Sequence, residues 1–286
     1  MKILITGSNG FIGKNLRQKL VEREHEVICF TRNSEIDSLK KHIKDIDFIF
    51  HLAGENRPED ESQFFENNSK LTGTLCDFLK IEEKEVPIIF SSSTQVLADN
   101  AYGKSKLEAE THLKNLHDKN GNPIIIYRLP NIFGKWSKPN YNSVVATFCH
   151  NISHNKKIKI NDENEDISLF YIDDLLELFM NDMNSSFKGY LKKEISNTYK
   201  ITIGELANLI SEFSQYDNLA FIGEVGDGFK RALYSTFLSF LDKKDFSYKL
   251  NVNKDKRGIF VEVLKTKNSG QFSFLTAKPG ITRGQH

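Results

Sequence analysis

Residues 2–13 read KILITGSNGFIG, an apolar run followed by three regularly spaced glycines. The run Lys2–Thr6 predicts a short buried strand, and the segment from Phe11 to about Arg23 predicts an amphipathic helix. Glycines let the backbone approach phosphate groups, and a helix start offers free N–H groups and a partial positive charge. This strand, turn and helix together predict a pyrophosphate site. The residues predicted to hold it are Gly7, Asn9, Gly10, Phe11, Ile12 and Gly13.

Length and composition are those of an ordinary globular protein and exclude several classes. The 286 residues suffice for one large α/β domain, or for one domain plus a fragment. A net charge of +1 gives no indication of a positively charged surface that would bind nucleic acid or an acidic membrane. The sequence has no apolar run of transmembrane length and no targeting stretch, and its cysteines lack metal-type spacing. We therefore expect a cytoplasmic protein without nucleic-acid or membrane partners.

Strands and helices alternate through the first half of the chain. Apolar runs predict strands at 27–31, 46–51, 86–91 and 124–128, and periodic patterns predict helices near 61–80 and 102–119. Such alternation predicts an α/β fold with a doubly wound parallel sheet, whose ligand crevice lies at the carboxyl ends of the strands.

The second half of the chain has a looser pattern. The predicted elements are a loop at 129–141, a helix at 142–155, a strand at 167–171, and strand-like stretches at 257–265 and 270–277. Thr202 and Glu205 form a capping-box pattern that predicts a further helix start. These pieces predict a small substrate-facing lobe followed by a separate β element.

Tyr102 and Lys106 share one face of a predicted helix, because residues four apart are neighbours on a helix surface. A phenol has an ordinary pKa of ~10. A neighbouring ammonium group and the charge of a nicotinamide ring are expected to lower that pKa, which suits proton exchange. The lysine can also hydrogen-bond the ribose of the nicotinamide. We assign Ser93 to the substrate oxygen, with Ser92 as the alternative, because adjacent serines in a strand point in different directions.

The residues after the second predicted strand indicate the cofactor. An NAD site typically places Asp or Glu there to bind the ribose 2′-hydroxyl. This chain has Arg32 instead, and no carboxylate before Glu35. A guanidinium suits a 2′-phosphate through charge-assisted hydrogen bonds, so the sequence favours NADPH over NAD.

These motifs together resemble the extended short-chain dehydrogenases/reductases, the epimerase/dehydratase group with a Rossmann fold. Arg128-Leu-Pro-Asn131-Ile-Phe-Gly134 is similar to the segment that lines the nucleotide-sugar cleft of that family, and Tyr171-Ile-Asp173-Asp174 is similar to its YVDD segment. The segment Leu52-Ala53-Gly54 resembles the family's stretch beside the adenosine and the nicotinamide ribose, which implies that these three residues contact the cofactor. His51 is interpreted as a strand residue rather than a proton-transfer group.

The chain departs from the dehydratases of this family after the serines. Those enzymes carry Asp-Glu just after the serine or threonine, whereas this chain has Thr94 and Gln95. Neither side chain can act as a carboxylic acid or base. The sequence therefore disfavours dehydration and leaves hydride transfer at a carbonyl.

A closer resemblance, to capsular-sugar reductases that join a short-chain reductase to a C-terminal cupin, covers almost the whole chain. The matching stretches begin at His51 (HLAGENRP), Asn131 (NIFGKWSKPNYNS), Leu233 (LYST) and Asp255 (DKRGIF). The resemblance implies NADPH-dependent reduction of the C4 ketone of a UDP-4-keto-6-deoxy-N-acetylhexosamine. The product would be a UDP-2-acetamido-2,6-dideoxy-L-talose. It also implies that Arg57, Asn131 and Lys138 bind the substrate.

The same resemblance sets the expected domains. We predict a reductase domain over residues 1–250, with its substrate lobe mainly at 131–166 and 195–245, and an incomplete cupin piece over 251–286. In the related enzymes the cupin epimerises C3, and cupin metal sites need several His and Glu ligands. His286 alone cannot supply them. We therefore expect no metal in this chain, and reduction without epimerisation.

Two other functions remain open from the residues alone. A 4-epimerase with permanently bound NAD would share the fold, but it needs no external NADPH, and Arg32 argues against it. A non-catalytic NADP-binding sensor would share the fold too, but such proteins usually lose the Tyr–Lys pair, which is intact here. For the reductase we expect a homodimer whose small-molecule partner is a UDP-sugar.

Overall fold

The computed structural model describes residues 1–216 and 221–282. The chain divides into two compact units, one made of residues 1–143 and 168–200, the other of residues 144–167 and 201–286. None of the helices in the described ranges is both long and apolar enough to cross a membrane. His286, named above as the single histidine of the predicted cupin piece, lies outside the described residues. The domain boundary near residue 250 stays a prediction.

Strands and helices are numbered here in chain order. The strands are β1 (Lys2–Thr6), β2 (Glu26–Phe30), β3 (Phe48–His51), β4 (Ile88–Ser93), β5 (Ile124–Leu129), β6 (Asn131–Phe133), β7 (Asp166–Tyr171), β8 (Tyr190–Glu194), β9 (Tyr199–Thr202), β10 (Phe221–Ile222), β11 (Val252–Asp255), β12 (Gly258–Thr266) and β13 (Gln271–Leu275). The helices are α1 (Phe11–Glu22), α2 (Ile36–Ile43), α3 (Ser62–Phe64), α4 (Leu71–Ile81), α5 (Ala101–Asn120), α6 (Val144–Ser153), α7 (Ile172–Asn184), α8 (Ile203–Phe213) and α9 (Gly228–Leu238). Thr94–Leu97 and Lys243–Phe246 are 3₁₀ turns, and Phe65–Lys70 is π-helical.

A parallel sheet with strand order β2-β1-β3-β4-β5-β8 forms the first unit. In its register, Ile5 of β1 lies opposite Cys29 of β2 and Phe50 of β3. Every residue of β3 and β4 is buried, as expected for strands of a parallel sheet that helices cover. The predicted α/β fold with a doubly wound parallel sheet is confirmed.

The strand order reverses at β1 and β3. From β1 the chain moves outward to β2, and from β3 it moves in the opposite direction toward β8. Ligands of such sheets bind at the carboxyl ends of the strands where the order reverses. The glycine turn that follows β1 and the segment 52–54 that follows β3 both lie at this point.

The structure differs from the predicted elements at three places near the crevice. β4 runs two residues beyond the predicted end, so Ser92 and Ser93 belong to the strand. β6 lies inside the predicted loop 129–141, and three residues are too few to show an alternating pattern. β8 was not predicted because this outer strand reads YLKKE, and lysines are common on the edges of sheets, where strands are solvated.

In the second unit, α6, α8 and α9 pack on one another. The Thr202 hydroxyl accepts a hydrogen bond from the Glu205 N–H at 3.2 Å, and the Glu205 carboxylate accepts one from the Thr202 N–H at 3.1 Å, so the predicted capping box is confirmed. β12 pairs in parallel with β10 and antiparallel with β11 and β13. The two predicted strand-like stretches correspond to β12 and β13.

Candidate active site

The glycine turn between β1 and α1 packs directly against the segment that follows β3. Gly7 has a φ of 70°, and its N–H donates to the Phe30 carbonyl at 2.8 Å. A Cβ atom at Gly7 would lie 2.7 Å from the Ala53 backbone, and one at Gly13 would lie 2.3 Å from the Gly7 carbonyl oxygen. Only glycine tolerates these approaches. The turn therefore brings the two predicted cofactor segments side by side.

The N-terminus of α1 offers backbone donors to an anion. Gly10 is the N-cap residue with an extended backbone, no side chain caps the helix, and its first turn contains no acidic residue. Asn9 and Gly10 are exposed, and Phe11 and Ile12 are half-buried. Uncapped N–H groups and the helix dipole favour a phosphate at this place. The residues predicted to hold a pyrophosphate thus fit that group.

Ser93, Tyr102 and Lys106 come together where β4 ends and α5 begins. The Tyr102 phenol lies near the Ser93 hydroxyl, and Ser93 accepts a hydrogen bond from the Gln95 N–H at 3.1 Å. The Tyr102 ring packs on Phe64, with 5.6 Å between the ring centroids. The three side chains predicted to be catalytic therefore occupy one end of the sheet.

The local sequence explains how α5 presents Tyr102. The Asn100 side chain caps the helix by accepting a hydrogen bond from the Gly103 N–H at 2.7 Å, which fixes where the first turn begins. A Cβ atom at Gly103 would lie 2.2 Å from the Gln95 carbonyl oxygen. The absence of a side chain at position 103 thus lets the start of α5 approach the turn that follows Ser93.

Burial raises the pKa of the Tyr102 phenol above its ordinary value, and the nearby Ser93 hydroxyl offsets this only in part. The expectation that this pKa is lowered is therefore wrong for the protein by itself. The physical reason is that a buried phenolate loses its hydration. Tyr102 is consequently a neutral phenol, which is the form that a proton donor needs.

Lys106 is buried beside both the serine strand and the predicted cofactor segment. Its ammonium group donates to the Ser91 carbonyl at 3.0 Å and lies 4.9 Å from the centroid of the Phe90 ring. A Cβ atom at Gly54 would lie 2.8 Å from the same nitrogen. Burial lowers the pKa of Lys106 to about 8, although the charge of Glu110 opposes the shift. The lysine therefore reaches the segment assigned to the cofactor.

The Ser92 side chain points away from the Tyr102 phenol. Its hydroxyl donates to the Glu110 carboxylate at 2.7 Å. The same carboxylate, only 2% exposed, accepts two bonds from Arg128 at 3.1 and 2.8 Å, and Lys192 lies 3.1 Å from it. Burial raises the pKa of Glu110, but these hydrogen bonds outweigh burial and hold it below its ordinary value. This geometry favours Ser93 over Ser92 as the residue that contacts substrate.

The sequence did not reveal Glu55 as a residue of the site, but in the structure it forms an ion pair with Arg32. The Arg32 guanidinium donates to the Glu55 carboxylate, which also accepts from the Tyr141 phenol at 2.8 Å and from the Arg57 N–H at 3.3 Å. Burial raises the pKa of Glu55, but the hydrogen bonds outweigh burial and hold it below its ordinary value. The signals in the sequence were that Glu55 directly follows Gly54 and that it lies within the matching stretch that begins at His51. A carboxylate therefore lies beside the residue predicted to select NADPH.

Two of the three predicted substrate residues lie together. The Arg57 guanidinium donates to the Tyr141 carbonyl, and the Lys138 ammonium lies 4.8 Å from the centroid of the Tyr141 ring. Both cations are exposed. Asn131 lies at the exposed start of β6, and within residues 1–216 and 221–282 it has no hydrogen bond to this group. Tyr141 was not singled out from the sequence.

Asn68, in the π-helical segment, is a further residue that the sequence did not reveal. Its side chain accepts from the Glu55 N–H at 2.7 Å and donates to the Glu55 carbonyl at 3.0 Å and to the Ser105 hydroxyl at 2.9 Å. π-Helical turns inside helices occur frequently at functional sites. Asn68 thus ties the chain after β3 to the helix that carries Tyr102 and Lys106.

His51 belongs to the internal support of the site. Its ring nitrogens lie 2.6 Å from the Thr6 hydroxyl and 2.8 Å from the Thr72 hydroxyl, and it is fully buried. Burial, with a smaller contribution from the charge of Lys106, lowers its pKa to about 3. The imidazole is therefore neutral, and it connects β1 and β3 to α4.

Comparisons with known proteins agree with this geometry. The model of the NAD dependent epimerase/dehydratase family matches residues 3–189, and that of the polysaccharide biosynthesis C-terminal domain matches residues 253–286. A UDP-2-acetamido-2,6-beta-L-arabino-hexul-4-ose reductase from Pseudomonas aeruginosa is 49% identical over 287 residues, covering 100% of this chain and 77% of the relative. The dTDP-4-dehydro-6-deoxyglucose reductase of Escherichia coli is 25% identical over 224 residues, covering 62% of this chain and 71% of the relative.

A solved structure is similar over the same length. The crystal structure of the capsular polysaccharide assembling protein CapF from Staphylococcus aureus superimposes with a TM-score of 0.88 and 40% identity, covering 99% of this chain and 78% of CapF. The resemblance drawn from the motifs, including that to capsular-sugar enzymes, is thereby confirmed. The glycine turn, the Ser–Tyr–Lys group and these relatives lead to one assignment: the chain belongs to the NAD dependent epimerase/dehydratase family and is a nicotinamide-dependent oxidoreductase.

Proposed function

We propose that this enzyme uses NADPH to reduce the C4 ketone of a UDP-4-keto-6-deoxy-N-acetylhexosamine to a UDP-2-acetamido-2,6-dideoxy-L-talose. The observation that carries the proposal is the position of the Tyr102 phenol beside the Ser93 hydroxyl and near buried Lys106, in a chain that is 49% identical to a reductase named for such a keto sugar. Substrate binding is assigned to Arg57, Asn131 and Lys138. Cofactor binding is assigned to Gly7, Asn9, Gly10, Phe11, Ile12, Gly13, Arg32, Leu52, Ala53, Gly54, Tyr102 and Lys106.

The chain's own residues account for the proton side of the reaction. A bound nicotinamide supplies the hydride. Tyr102, held neutral by burial, donates its proton to the C4 oxygen as negative charge develops there. The Ser93 hydroxyl hydrogen-bonds the same oxygen and orients it toward the phenol. Lys106 binds the ribose of the cofactor and, while charged, favours the phenolate that remains.

The turn after Ser93 supports reduction rather than dehydration. Thr94 and Gln95 begin a 3₁₀ turn, and the Thr94 hydroxyl donates to the Leu129 carbonyl at 3.4 Å. Neither residue supplies the carboxyl group that removal of water requires. A carbonyl reduced at this place is therefore released as an alcohol.

A direct assay tests the proposed reaction. The protein is incubated with NADPH and a UDP-4-keto-6-deoxy-N-acetylhexosamine, with an intact cupin domain supplied in trans, and the sugar product is identified by NMR. We expect oxidation of NADPH in a 1:1 ratio to the alcohol formed. Conversion of the sugar without net NADPH consumption would favour a 4-epimerase. Binding of NADPH with no conversion would favour a sensor.

We expect Arg32→Gln to raise the Kd of NADPH about 10- to 100-fold, because a charge-assisted hydrogen bond contributes roughly 1.5–3 kcal/mol. The Kd of NADH should change little. Gln is preferable to Asp, because Asp at position 32 would place a second carboxylate beside Glu55. Titration of cofactor fluorescence measures both constants, with Arg17→Gln on the exposed face of α1 as the control. Equal affinities of the unaltered protein for the two cofactors would contradict NADPH selectivity.

The C-terminal stretch supports a second domain that begins near residue 251. Residues 253–286 match the polysaccharide biosynthesis C-terminal domain, and β11, β12 and β13 lie there in a sheet whose fourth strand, β10, comes from the preceding stretch. We also propose that the protein works as a homodimer in the cytoplasm, which size-exclusion chromatography with light scattering tests for the oligomer. A single species of monomer mass would contradict the dimer.

A further inference from the structure

The ion pair between Arg32 and Glu55 crosses the carboxyl end of β1. Arg32 follows β2, Glu55 follows β3, and β1 lies between these strands in the sheet. The glycine turn assigned to the pyrophosphate begins at that same end of β1. The ion pair therefore joins the two sides of the groove in which a dinucleotide is proposed to lie.

The two side chains of this ion pair differ in their exposure and in the number of their other hydrogen bonds. The Glu55 side chain is 8% exposed, whereas that of Arg32 is 77% exposed. Asn68 fixes the Glu55 backbone through two hydrogen bonds, and the carboxylate keeps three further donors, the Tyr141 phenol and the N–H groups of Asn56 and Arg57. Glu55 is thus a fixed acceptor, and Arg32 is an exposed donor that can exchange partners.

We propose that Glu55 is a specificity-determining residue that holds Arg32 in the free enzyme and yields it to the 2′-phosphate of NADPH. The proposal rests on the NADPH-dependent function proposed above. A phosphate binds the guanidinium through several charged oxygens. Glu55 remains satisfied after the exchange, because Tyr141 and the backbone N–H groups still donate to it.

The exchange gives the ion pair a defined effect on nucleotide preference. Binding of a 2′-phosphate breaks the ion pair between Arg32 and Glu55, which weakens the net affinity. A nucleotide with a 2′-hydroxyl leaves that pair in place. An ion pair with one exposed partner contributes up to about 1 kcal/mol, which corresponds to roughly fivefold in affinity. Glu55 therefore limits the preference for phosphate-bearing nucleotides.

Adenine nucleotides test this without turnover. Isothermal titration calorimetry measures the Kd of 2′,5′-ADP, which carries the 2′-phosphate, and of 5′-AMP, which does not. We expect Glu55→Gln to tighten binding of 2′,5′-ADP about 3- to 5-fold and to change that of 5′-AMP by less than about 2-fold. In the Arg32→Gln background, Glu55→Gln should leave the Kd of 2′,5′-ADP unchanged, because the guanidinium is already absent.

Two controls isolate the ion pair. Glu35→Gln removes a negative charge that is near Arg32 in sequence and exposed, and among the described residues it forms no ion pair with Arg32. It should leave both constants unchanged. Thermal melting shows whether Glu55→Gln folds. If it does not, Glu55→Asp replaces it, because the shorter side chain keeps the negative charge but moves it away from Arg32. That variant should also lower the Kd of 2′,5′-ADP, but by a smaller factor than Glu55→Gln does.

The outcomes separate this proposal from the one on which it rests. Equal binding of 2′,5′-ADP and 5′-AMP by the unaltered protein would overturn NADPH selectivity and this inference together. A preference for 2′,5′-ADP that Glu55→Gln leaves unchanged or reduces would overturn this inference alone, and would show that Glu55 orients Arg32 instead of competing for it. A tighter 2′,5′-ADP complex that depends on Arg32 supports the proposal.

Discussion

Replacing Tyr102 with Phe is expected to lower kcat about 10²- to 10⁴-fold, the usual contribution of a general acid. The substitution removes the hydroxyl that lies near Ser93 and keeps the ring that packs on Phe64. The Kd of NADPH should change little, because no step of cofactor binding needs the proton. The loss therefore lies in the chemical step rather than in binding.

Single-turnover kinetics with NADPH and the keto sugar measure this effect. The matched control is Tyr127→Phe, which also removes one phenol hydroxyl. The Tyr127 hydroxyl donates to the Asp182 carboxylate at 2.5 Å, and Asp182 is not among the residues assigned to the site. That variant should unfold more easily and retain near-normal turnover. A Tyr102→Phe enzyme with a turnover close to that of the unaltered protein would exclude Tyr102 as the proton donor.

Replacing Glu110 with Gln is expected to lower the free energy of unfolding of the first unit by about 3 kcal/mol. The carboxylate is 2% exposed and neutralises Arg128, whose side chain is 13% exposed. Gln keeps the shape but removes the charge, so the guanidinium retains only the exposed Glu194 carboxylate, 3.8 Å away, as a counter-ion. Lys192 is 45% exposed and can turn to water, so it contributes less to the loss.

Urea unfolding followed by tryptophan fluorescence measures this change, because the single tryptophan of the chain, Trp136, lies in the first unit. With an m value of about 1–3 kcal/mol/M, the midpoint should fall by roughly 1–3 M. Glu108→Gln, on the exposed face of the same helix, should leave the midpoint in place. An unchanged midpoint for Glu110→Gln would show that the buried pair gives no net stability.

The fold was predictable because its signals are local. The apolar run before Gly7 predicts a strand, and the spacing of the glycines predicts the turn and the helix start that follow it. Tyr102 and Lys106 were found for the same reason, since four residues on a helix bring two side chains to one face. The edge strand β8 was not found, because its lysines carry no apolar pattern. The π-helical turn with Asn68 was not found either, because it follows from packing against neighbouring elements.

The sequence by itself determined the main strands of the parallel fold, the glycine turn and the Tyr102–Lys106 pair, because each of these signals lies within a short stretch of chain. Only the tertiary structure decided what surrounds them. Ser92 and Ser93 are neighbours in sequence, but the Ser92 hydroxyl donates to Glu110, whereas the Ser93 hydroxyl lies near the Tyr102 phenol. Glu55 lies 23 residues from Arg32 and 86 from Tyr141, yet bonds both. Such contacts, and the burial that raises the pKa of Tyr102, arise only when strands distant in the chain become neighbours in the sheet.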